Sequence, residues 1–294
     1  MDDKNWMTEQ FEASRSHLGA VAYRMLGSQS DADDAVQEAW FRLNRSDTSG
    51  VKNLRGWLTT VVSRVCLDML RSRRSRREEP LDAYVPDPIV DRDDRVDPEQ
   101  QSILADSVGL ALLVVLEMLD PAERLAFVLH DMFGVSFDEI ATIVDRSPEA
   151  ARQLASRARR RVHGADTLPD TDIAHQRAVV GAFFAAARSG DLQALVAVLD
   201  PDVVLRSDGG SRSPAATALV RGASAVAGRA IMFSRPAALL QPAIVNGAAG
   251  VVVMVGGRPF SIMGFTIAGG RIVAIDVLAD PDRLAEIDLS RLAD

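Results

Sequence analysis

VSFDEIATIVDRSPEAARQLASRARRRV, residues 135–162, is the stretch from which the organisation of this chain is read. Ser136 is a good N-cap for a short helix over 137–144, in which Phe137, Ile140, Ala141 and Val144 recur at helical spacing. Asp145-Arg146 makes a tight turn. Ser147-Pro148 then supplies an N-cap and a proline at the first helical position, with Glu149 in the first turn. Along the second helix Ala151, Leu154, Ala155, Ala158 and Val162 line the inner face. Its outer face carries Glu149, Gln153, Ser156 and Arg160, flanked by Arg152 and Arg157. Two short helices across a few-residue turn, the second with a base-reading repertoire, match a helix-turn-helix. Glutamine and arginine pair bidentately with adenine and guanine edges, while the remaining arginines hold phosphates. Arg146 and Ser147 complete the candidate set. A helical hairpin with no DNA role is the plainer reading of the same pattern.

At first sight the composition opposes nucleic acid. The 294 residues hold 33 Lys and Arg against 41 Asp and Glu, a net charge of −8, and indiscriminate phosphate binding needs positive charge. The excess acid is local, however. Residues 1–80 hold 13 basic and 12 acidic side chains, whereas residues 81–105 hold 2 and 7. That second segment, with Pro86, Pro88 and Pro98 and few apolar residues, reads as a linker. A shorter joint lies near Thr167-Leu168-Pro169-Asp170. Meanwhile Arg71-Ser-Arg73-Arg74-Ser-Arg76-Arg77 and Arg157-Ala-Arg159-Arg160-Arg161 concentrate positive charge at two helix ends. Either run alone suits the negative pole of a helix dipole; two of them point to phosphate contact. The single cysteine, Cys66, excludes an intramolecular disulfide framework and reads as inert packing. The polar N-terminus is no signal peptide, and no apolar run is long enough to span a bilayer, so a cytoplasmic protein is expected.

The N-terminal part predicts two amphipathic helices. One starts at Ser30/Asp31 and continues to about Leu43, burying Val36, Ala39, Trp40 and Leu43 and turning Asp34, Gln37, Glu38 and Phe41 outward. A phenylalanine among acids suggests a partner surface; packing against a neighbouring helix is the alternative. The next helix begins near Asn53, an N-cap, and continues through Leu70. It buries Leu54, Leu58, Val61, Val62, Val65 and Met69, with Thr60, Ser63, Arg64, Arg71 and Arg74 across from them. Small hydroxyls and arginines on one stripe could track a nucleic-acid strand.

Taken together these residues resemble the sigma-70 superfamily, specifically its extracytoplasmic-function group. Asp31-Ala-Asp-Asp-Ala-Val-Gln-Glu-Ala-Trp40 is similar to the region 2.2 signature. That resemblance implies docking on the RNA polymerase clamp helices through Asp34, Gln37, Glu38 and Phe41. Leu54-Arg-Gly-Trp-Leu58 through Asp68 and the arginine run resembles regions 2.3–2.4. It implies −10 contacts from Asn53, Thr60, Ser63, Arg64, Arg71, Arg73 and Arg74; many members carry asparagine where this chain has Arg64. Leu119-Asp-Pro-Ala-Glu-Arg124 and the helix-turn-helix resemble region 4, which reads the −35 element. Tyr84-Val-Pro-Asp-Pro88 is a variant of the linker motif of a subgroup bearing an extra C-terminal domain.

From Asp172 the composition changes. Alanine-rich helices over 173–188 and 192–199 precede strand-like runs at 203–206, 238–246, 250–255, 260–267 and 272–278. Asn246-Gly247, Gly256-Gly257 and Gly269-Gly270 are hairpin signals. Helices followed by an antiparallel curved sheet make an α+β cone, which by resemblance is SnoaL/NTF2-like. Asp208-Gly209-Gly210-Ser211 and Asp280-Pro281-Asp282-Arg283-Leu284 resemble the subgroup's two C-terminal motifs. Asp208, Gly209, Gly210, Asp280, Pro281 and Asp282 of these motifs, with Tyr84, Pro86 and Pro88, imply a regulatory interface within the chain, to which Asp276 could also belong. Asp208 could instead be a general base or a turn residue, but no acid/base set accompanies it, so no enzyme and no cofactor or metal is expected. The expected organisation is multidomain. Two all-α sigma domains occupy 1–80 and 106–165, separated by the linker 81–105, and the α+β domain covers 166–294. The expected function is that of a sigma factor binding core RNA polymerase and promoter DNA. The alternatives are a one-component helix-turn-helix regulator with a ligand-binding cone, and a cyclase or isomerase with a DNA-binding extension. The acidic total then suits a protein that binds promoters weakly alone and relies on polymerase.

Overall fold

A computed structural model describes residues 3–46, 51, 53–76, 83–91, 109–163, 169–234 and 237–292. The chain divides into two compact units. One comprises Met1–Glu79 with Val115–Ala165, the other Pro80–Val114 with Asp166–Asp294.

The first unit is helical. α1 (Asp3–Leu26) buries Phe11, Leu18, Val21, Ala22, Met25 and Leu26, one stripe at three- and four-residue spacing. α2 (Gln29–Arg45) starts one residue before the expected site, because the hydroxyl of Ser28 accepts the Asp31 amide at 3.4 Å and caps it. Ala32, Ala35, Val36, Ala39 and Leu43 face inward, and Trp40 packs on Phe11 with ring centroids 4.8 Å apart. α3 (Leu54–Arg76) buries Leu54, Leu58, Val62, Val65, Cys66, Leu67 and Leu70. Each fully buried leucine contributes about 2 kcal/mol through apolar area removed from water. The second half of this unit begins at Val115, within α4 (Leu110–Glu117), and continues through α5 (Pro121–Phe127), a π-helical turn Val128–Met132, α6 (Phe137–Val144) and α7 (Pro148–His163). Ser136 and Glu139 form a reciprocal capping box on α6. Asp145 adopts a left-handed conformation (φ 56°, ψ 55°) that ends α6 within one residue, and Ser147 accepts the Ala150 amide to start α7. Arg124, 1% exposed, ties the two halves together. Its Nε and Nη2 donate to the Arg24 carbonyl at 3.1 and 3.0 Å, and its Nη1 lies 2.7 Å from Glu117.

The second unit contains β1 (Val90–Asp91), α8 (Ile173–Ser189), α9 (Leu192–Val198), β2 (Leu199–Asp208), β3 (Ala218–Arg221), α10 (Ala223–Phe233), β4 (Leu239–Val245), β5 (Ala248–Val255), β6 (Arg258–Ala268), β7 (Arg271–Leu278) and α11 (Pro281–Glu286). They build a seven-stranded sheet in the order β1-β4-β5-β6-β7-β2-β3. The expected antiparallel sheet needs one correction, for β2 and β7 pair in parallel. Strands β4 to β7 form an up-and-down meander whose last strand returns beside β2 in the same sense. Asn246-Gly247 makes the first hairpin with positive φ at both residues (49° and 78°), the geometry a two-residue turn demands. Helices α8, α9 and α10 close on one face of the sheet over Phe183, Leu195, Leu205, Val226, Val251, Phe265 and Ile275. Part of the expected linker is incorporated here. β1 pairs with β4, Val90 opposite Val245, and Asn246 brackets it by accepting the Ile89 amide through Oδ1 and donating its own amide to the Ile89 carbonyl. The remainder of that linker, residues 81–82 and 92–105, lies outside the described residues. Among the described residues, no helix is long and apolar enough to cross a membrane.

Candidate nucleic-acid interface and linker clasp

On α7, Ala151, Leu154, Ala155 and Ala158 are buried, which fixes the opposite side outward. Arg146, Ser147, Glu149, Arg152, Gln153, Ser156, Arg157 and Arg160 are all exposed. The cations among them are of two kinds. Glu123 of α5 accepts Arg157 Nε on one carboxylate oxygen at 2.7 Å and Arg161 Nη1 on the other at 2.8 Å. Asp131 accepts Arg159 Nε at 2.5 Å. Arg146, Gln153, Ser156 and Arg160 have no side-chain partner among the described residues. Arg152 stacks over the Phe137 ring at 5.5 Å and lies 3.6 Å from Glu149. The Glu149 carboxyl is held below the usual range by its own backbone amide and by Ser147. Beside this row lies a groove of about 490 Å³, with Arg146, Arg157 and Arg161 along its walls and Glu123 among its lining residues.

The residues expected at the −10 element are dispersed. Asn53 is exposed and accepts the Gly56 amide at 3.0 Å as an N-cap, and Thr60 back-bonds to the Gly56 carbonyl. Ser63 is a correction. It is fully buried, on the packed side of α3, and cannot face a strand in this arrangement. A helix of 3.6 residues per turn places position 63 next to Thr59 and Leu67, both buried, so the exposed stripe of α3 is narrower than expected. Arg73 turns back to bridge Asp31 and donates to the Leu26 carbonyl at 3.0 Å, which makes it an internal tie of the helical bundle. Arg71 is exposed. The side chain of Arg74 lies outside the described residues. Arg64, exposed, donates through Nη2 to the Thr142 carbonyl at the end of α6, 2.9 Å away. On α2, Asp34, Gln37 and Phe41 are exposed, Phe41 at 45%, and Glu38 pairs with Arg42 at 2.9 Å.

The third expected site comes together around a residue outside the expected set. Arg283, in the first turns of α11, donates Nη1 to Asp208 at 2.7 Å and Nη2 to the Val85 carbonyl at 2.6 Å, and it pairs with Asp87. Its guanidinium lies 4.7 Å over the Tyr84 ring. Asp208, 7% exposed, also accepts the Val85 and Gly210 amides. Pro86 and Pro88 are buried. Gly209 donates to Thr217, and Gly210 takes a positive φ of 62° against the Asp280 side chain, where a Cβ would overlap the carboxylate. Asp280 caps α11 by accepting the Asp282 amide, with Pro281 at the first helical position. Asp282 itself points away, 61% exposed and paired with Arg212. Arg283 stood in the quoted motif; what would have singled it out is that the buried Asp208 needs a cation. Asp276 does not join this clasp. It is 1% exposed on β7 and paired with Arg206 at 3.3 Å; burial pushes its carboxyl up and Arg206 opposes the shift.

Comparison with known proteins agrees with the helical half of this picture. The family described as Sigma-70 region 2 matches residues 11–76, and Sigma-70, region 4 matches residues 109–162. The ECF RNA polymerase sigma factor SigJ of Mycobacterium tuberculosis is 40% identical over 288 residues, covering 93% of this chain and 92% of its own length. The probable ECF RNA polymerase sigma factor SigI of the same species is 37% identical, with 97% of each chain covered. The crystal structure of the M. tuberculosis extracytoplasmic function sigma factor SigJ matches with a TM-score of 0.75 at 38% identity, over 96% of this chain and 99% of that one.

Proposed function

Because this chain belongs to the extracytoplasmic-function family of RNA polymerase sigma factors, we propose that it binds core polymerase and directs it to promoters through two DNA-reading surfaces. The exposed row of α7 reads the −35 element, with Gln153, Ser156, Arg152 and Arg160 toward base edges and Arg146 toward phosphate. α3 works at the −10 element through Asn53, Thr60, Arg64, Arg71 and Arg74. The outer face of α2, with Phe41 among Asp34, Gln37 and Glu38, docks on the clamp helices in the cytoplasm. The domain division follows: region 2 to residue 80, region 4 over 106–165, and the SnoaL/NTF2-like domain from 166.

The observation that carries this reading is that Gln153, Ser156 and Arg160 stand exposed in a row on α7 with no side-chain partner among the described residues, in a chain with such relatives. Two features add regulation. Arg64 is engaged by the Thr142 carbonyl, so α3 must leave α6 before this arginine meets DNA. Residues 83–91, which connect the two sigma regions, are held by Arg283, Asp208 and β4, so the C-terminal domain acts through the linker. The ligand-gated regulator and the cyclase are not favoured, since the relatives that span the whole chain are sigma factors.

In vitro transcription with core polymerase tests the proposal. The full chain is expected to support initiation from promoters enriched out of a randomised library, and Arg283→Ala to change the output. Failure of the full chain to bind core polymerase would falsify the reading. Truncation near residue 165 is a poor comparator, because it also strips residues 83–91 of their sheet.

A further inference from the structure

Glu123 is not among the residues expected to contact DNA, yet it holds two arginines of α7 at once. It is 6% exposed, and each of its carboxylate oxygens takes an arginine, Arg157 at 2.7 Å and Arg161 at 2.8 Å. Stability is a weak reason for such an arrangement. Burying a carboxylate costs several kcal/mol before its partners offset the loss, and an apolar side chain at the same site does as well. The two arginine side chains remain 45% and 55% exposed, where holding a flexible cation in place gains little. The bonding pattern suggests another purpose. Glu123 uses only Nε of Arg157 and Nη1 of Arg161, so both Nη groups of Arg157, and Nε and Nη2 of Arg161, have no partner among the described residues. The two arginines sit one turn apart at the edge of the row formed by Ser156 and Arg160.

We propose that Glu123 is a positioning residue for promoter recognition: it locks Arg157 and Arg161 so that their free N–H groups meet the phosphates flanking the −35 bases, and it removes one positive charge from indiscriminate binding. The inference rests on the −35 reading of α7 proposed above. A buttressed guanidinium approaches a phosphate with its orientation already fixed, which favours the one register in which α7 also meets bases. The Glu123 charge also weakens attraction to any duplex, so a sequence match and polymerase are both needed.

The test uses the full chain. Its binding to a random-sequence duplex is titrated against salt by fluorescence anisotropy, and its holoenzyme with core polymerase selects from duplexes randomised across the −35 element. Glu123→Gln is expected to tighten random-duplex binding about three- to tenfold at low salt and to cut selective enrichment about tenfold. Glu123→Asp is expected to restore part of that enrichment. Arg161→Gln, exposed and tolerable for the fold, is expected to lower the logarithmic salt slope by about 0.9. If Glu123→Gln shifts the melting temperature but moves neither affinity nor enrichment, the carboxylate is merely structural and the proposal falls. Should that variant not fold, an unchanged slope and enrichment in Arg161→Gln and in Arg157→Gln overturn it equally. A wild-type holoenzyme that enriches no −35 sequence removes the underlying reading and this proposal with it; enrichment by wild type with unmoved variants removes this proposal alone.

Discussion

Arg283 and Val85 meet on a single oxygen of Asp208: the guanidinium Nη1 donates at 2.7 Å and the Val85 amide at 3.2 Å. A residue from the linker and a residue from the last helix therefore share one buried carboxylate. Neither bond survives without it.

Asp208→Ala or Arg283→Ala should release residues 83–91 from the second unit. Breaking a buried charged pair on one side leaves the other charge uncompensated, at about 3 kcal/mol. Amide exchange at Val85 and Ile89 should rise by roughly two orders of magnitude, by that same figure, while exchange in α2 and α3 stays put. Transcription output with core polymerase should change alongside. Asp282→Asn, which removes only an exposed pair with Arg212, is the control and should stay within about 0.5 kcal/mol of wild type. Equal effects from Asp282→Asn and Arg283→Ala would contradict the assignment.

Gln153→Ala and Arg152→Ala should relax −35 preference, since base contacts of this kind contribute about 1–3 kcal/mol each. Both side chains are exposed on α7, so the melting temperature of the chain should hardly move. A panel of promoter variants read by the holoenzyme separates the two effects: an unchanged preference takes these residues off the reading face.

Much of this architecture was legible in the sequence, and the gaps have physical causes. The helix-turn-helix was readable because its signals are local: caps at Ser136 and Ser147, a proline at the first helical position, and an inner face of Ala151, Leu154 and Ala155. The β4–β7 meander was readable because three glycine-containing turns separate its strands. β1 and β3 were not, for strands of two and four residues leave no alternation to detect, and they form by adding to an existing sheet edge. α10 was missed because its alanines and Gly228 give little amphipathic contrast and its start is a glycine at φ 87° rather than a capping side chain. The site residues failed where long-range pairing decides. Whether Arg73 faces DNA or Asp31, and whether Arg157 is loose or held by Glu123, depends on partners 42 and 34 positions away. Spacing along one helix carries no such information.

Phe41→Ala should weaken binding to core polymerase by about 1–2 kcal/mol, the typical cost of truncating an aromatic anchor at an interface. The ring is 45% exposed, so unfolding free energy should change by less than about 0.5 kcal/mol. Co-purification with core polymerase, quantified against the melting curve of the free chain, gives both numbers. Undiminished binding would return Phe41 to the ordinary surface.

Cys66 should be inert in the folded chain. It is fully buried, and burial pushes its thiol up to about 12, with Arg124 and Arg73 nearby opposing the shift. At pH 8 the thiolate fraction is then on the order of 10⁻⁴, and reagent access requires opening of the helical unit. A chromogenic disulfide reagent should leave the native protein unlabelled over an hour and react at once in guanidinium chloride. Rapid labelling of the folded chain would show that α3 opens far more readily than its packing implies.

The last expectation concerns acid. His17 of α1 lies edge-on to Phe133, with ring centroids 5.3 Å apart, and its Nε2 is 3.3 Å from the Thr59 hydroxyl of α3. Burial lowers its affinity for a proton below the ordinary 6.5, and Arg55 and Arg24 lower it further. A base whose value is depressed in the packed state is neutral in both states at pH 8 and contributes nothing there. As pH falls below about 6.5 the opened form takes up the proton first, so stability is lost until the packed form protonates as well. The melting temperature of the helical unit should therefore drop between pH 7.5 and 5.5, by less than about 3 °C given the partial exposure of the ring. His17→Gln keeps a partner for Thr59 but cannot protonate, and it should flatten that part of the profile. The contact joins the region 2 helices to Phe133, just after the π-helical turn of region 4, so the same window should loosen the Arg64–Thr142 tie and speed amide exchange at the end of α6. A profile of identical slope in wild type and His17→Gln would assign the acid sensitivity to other groups.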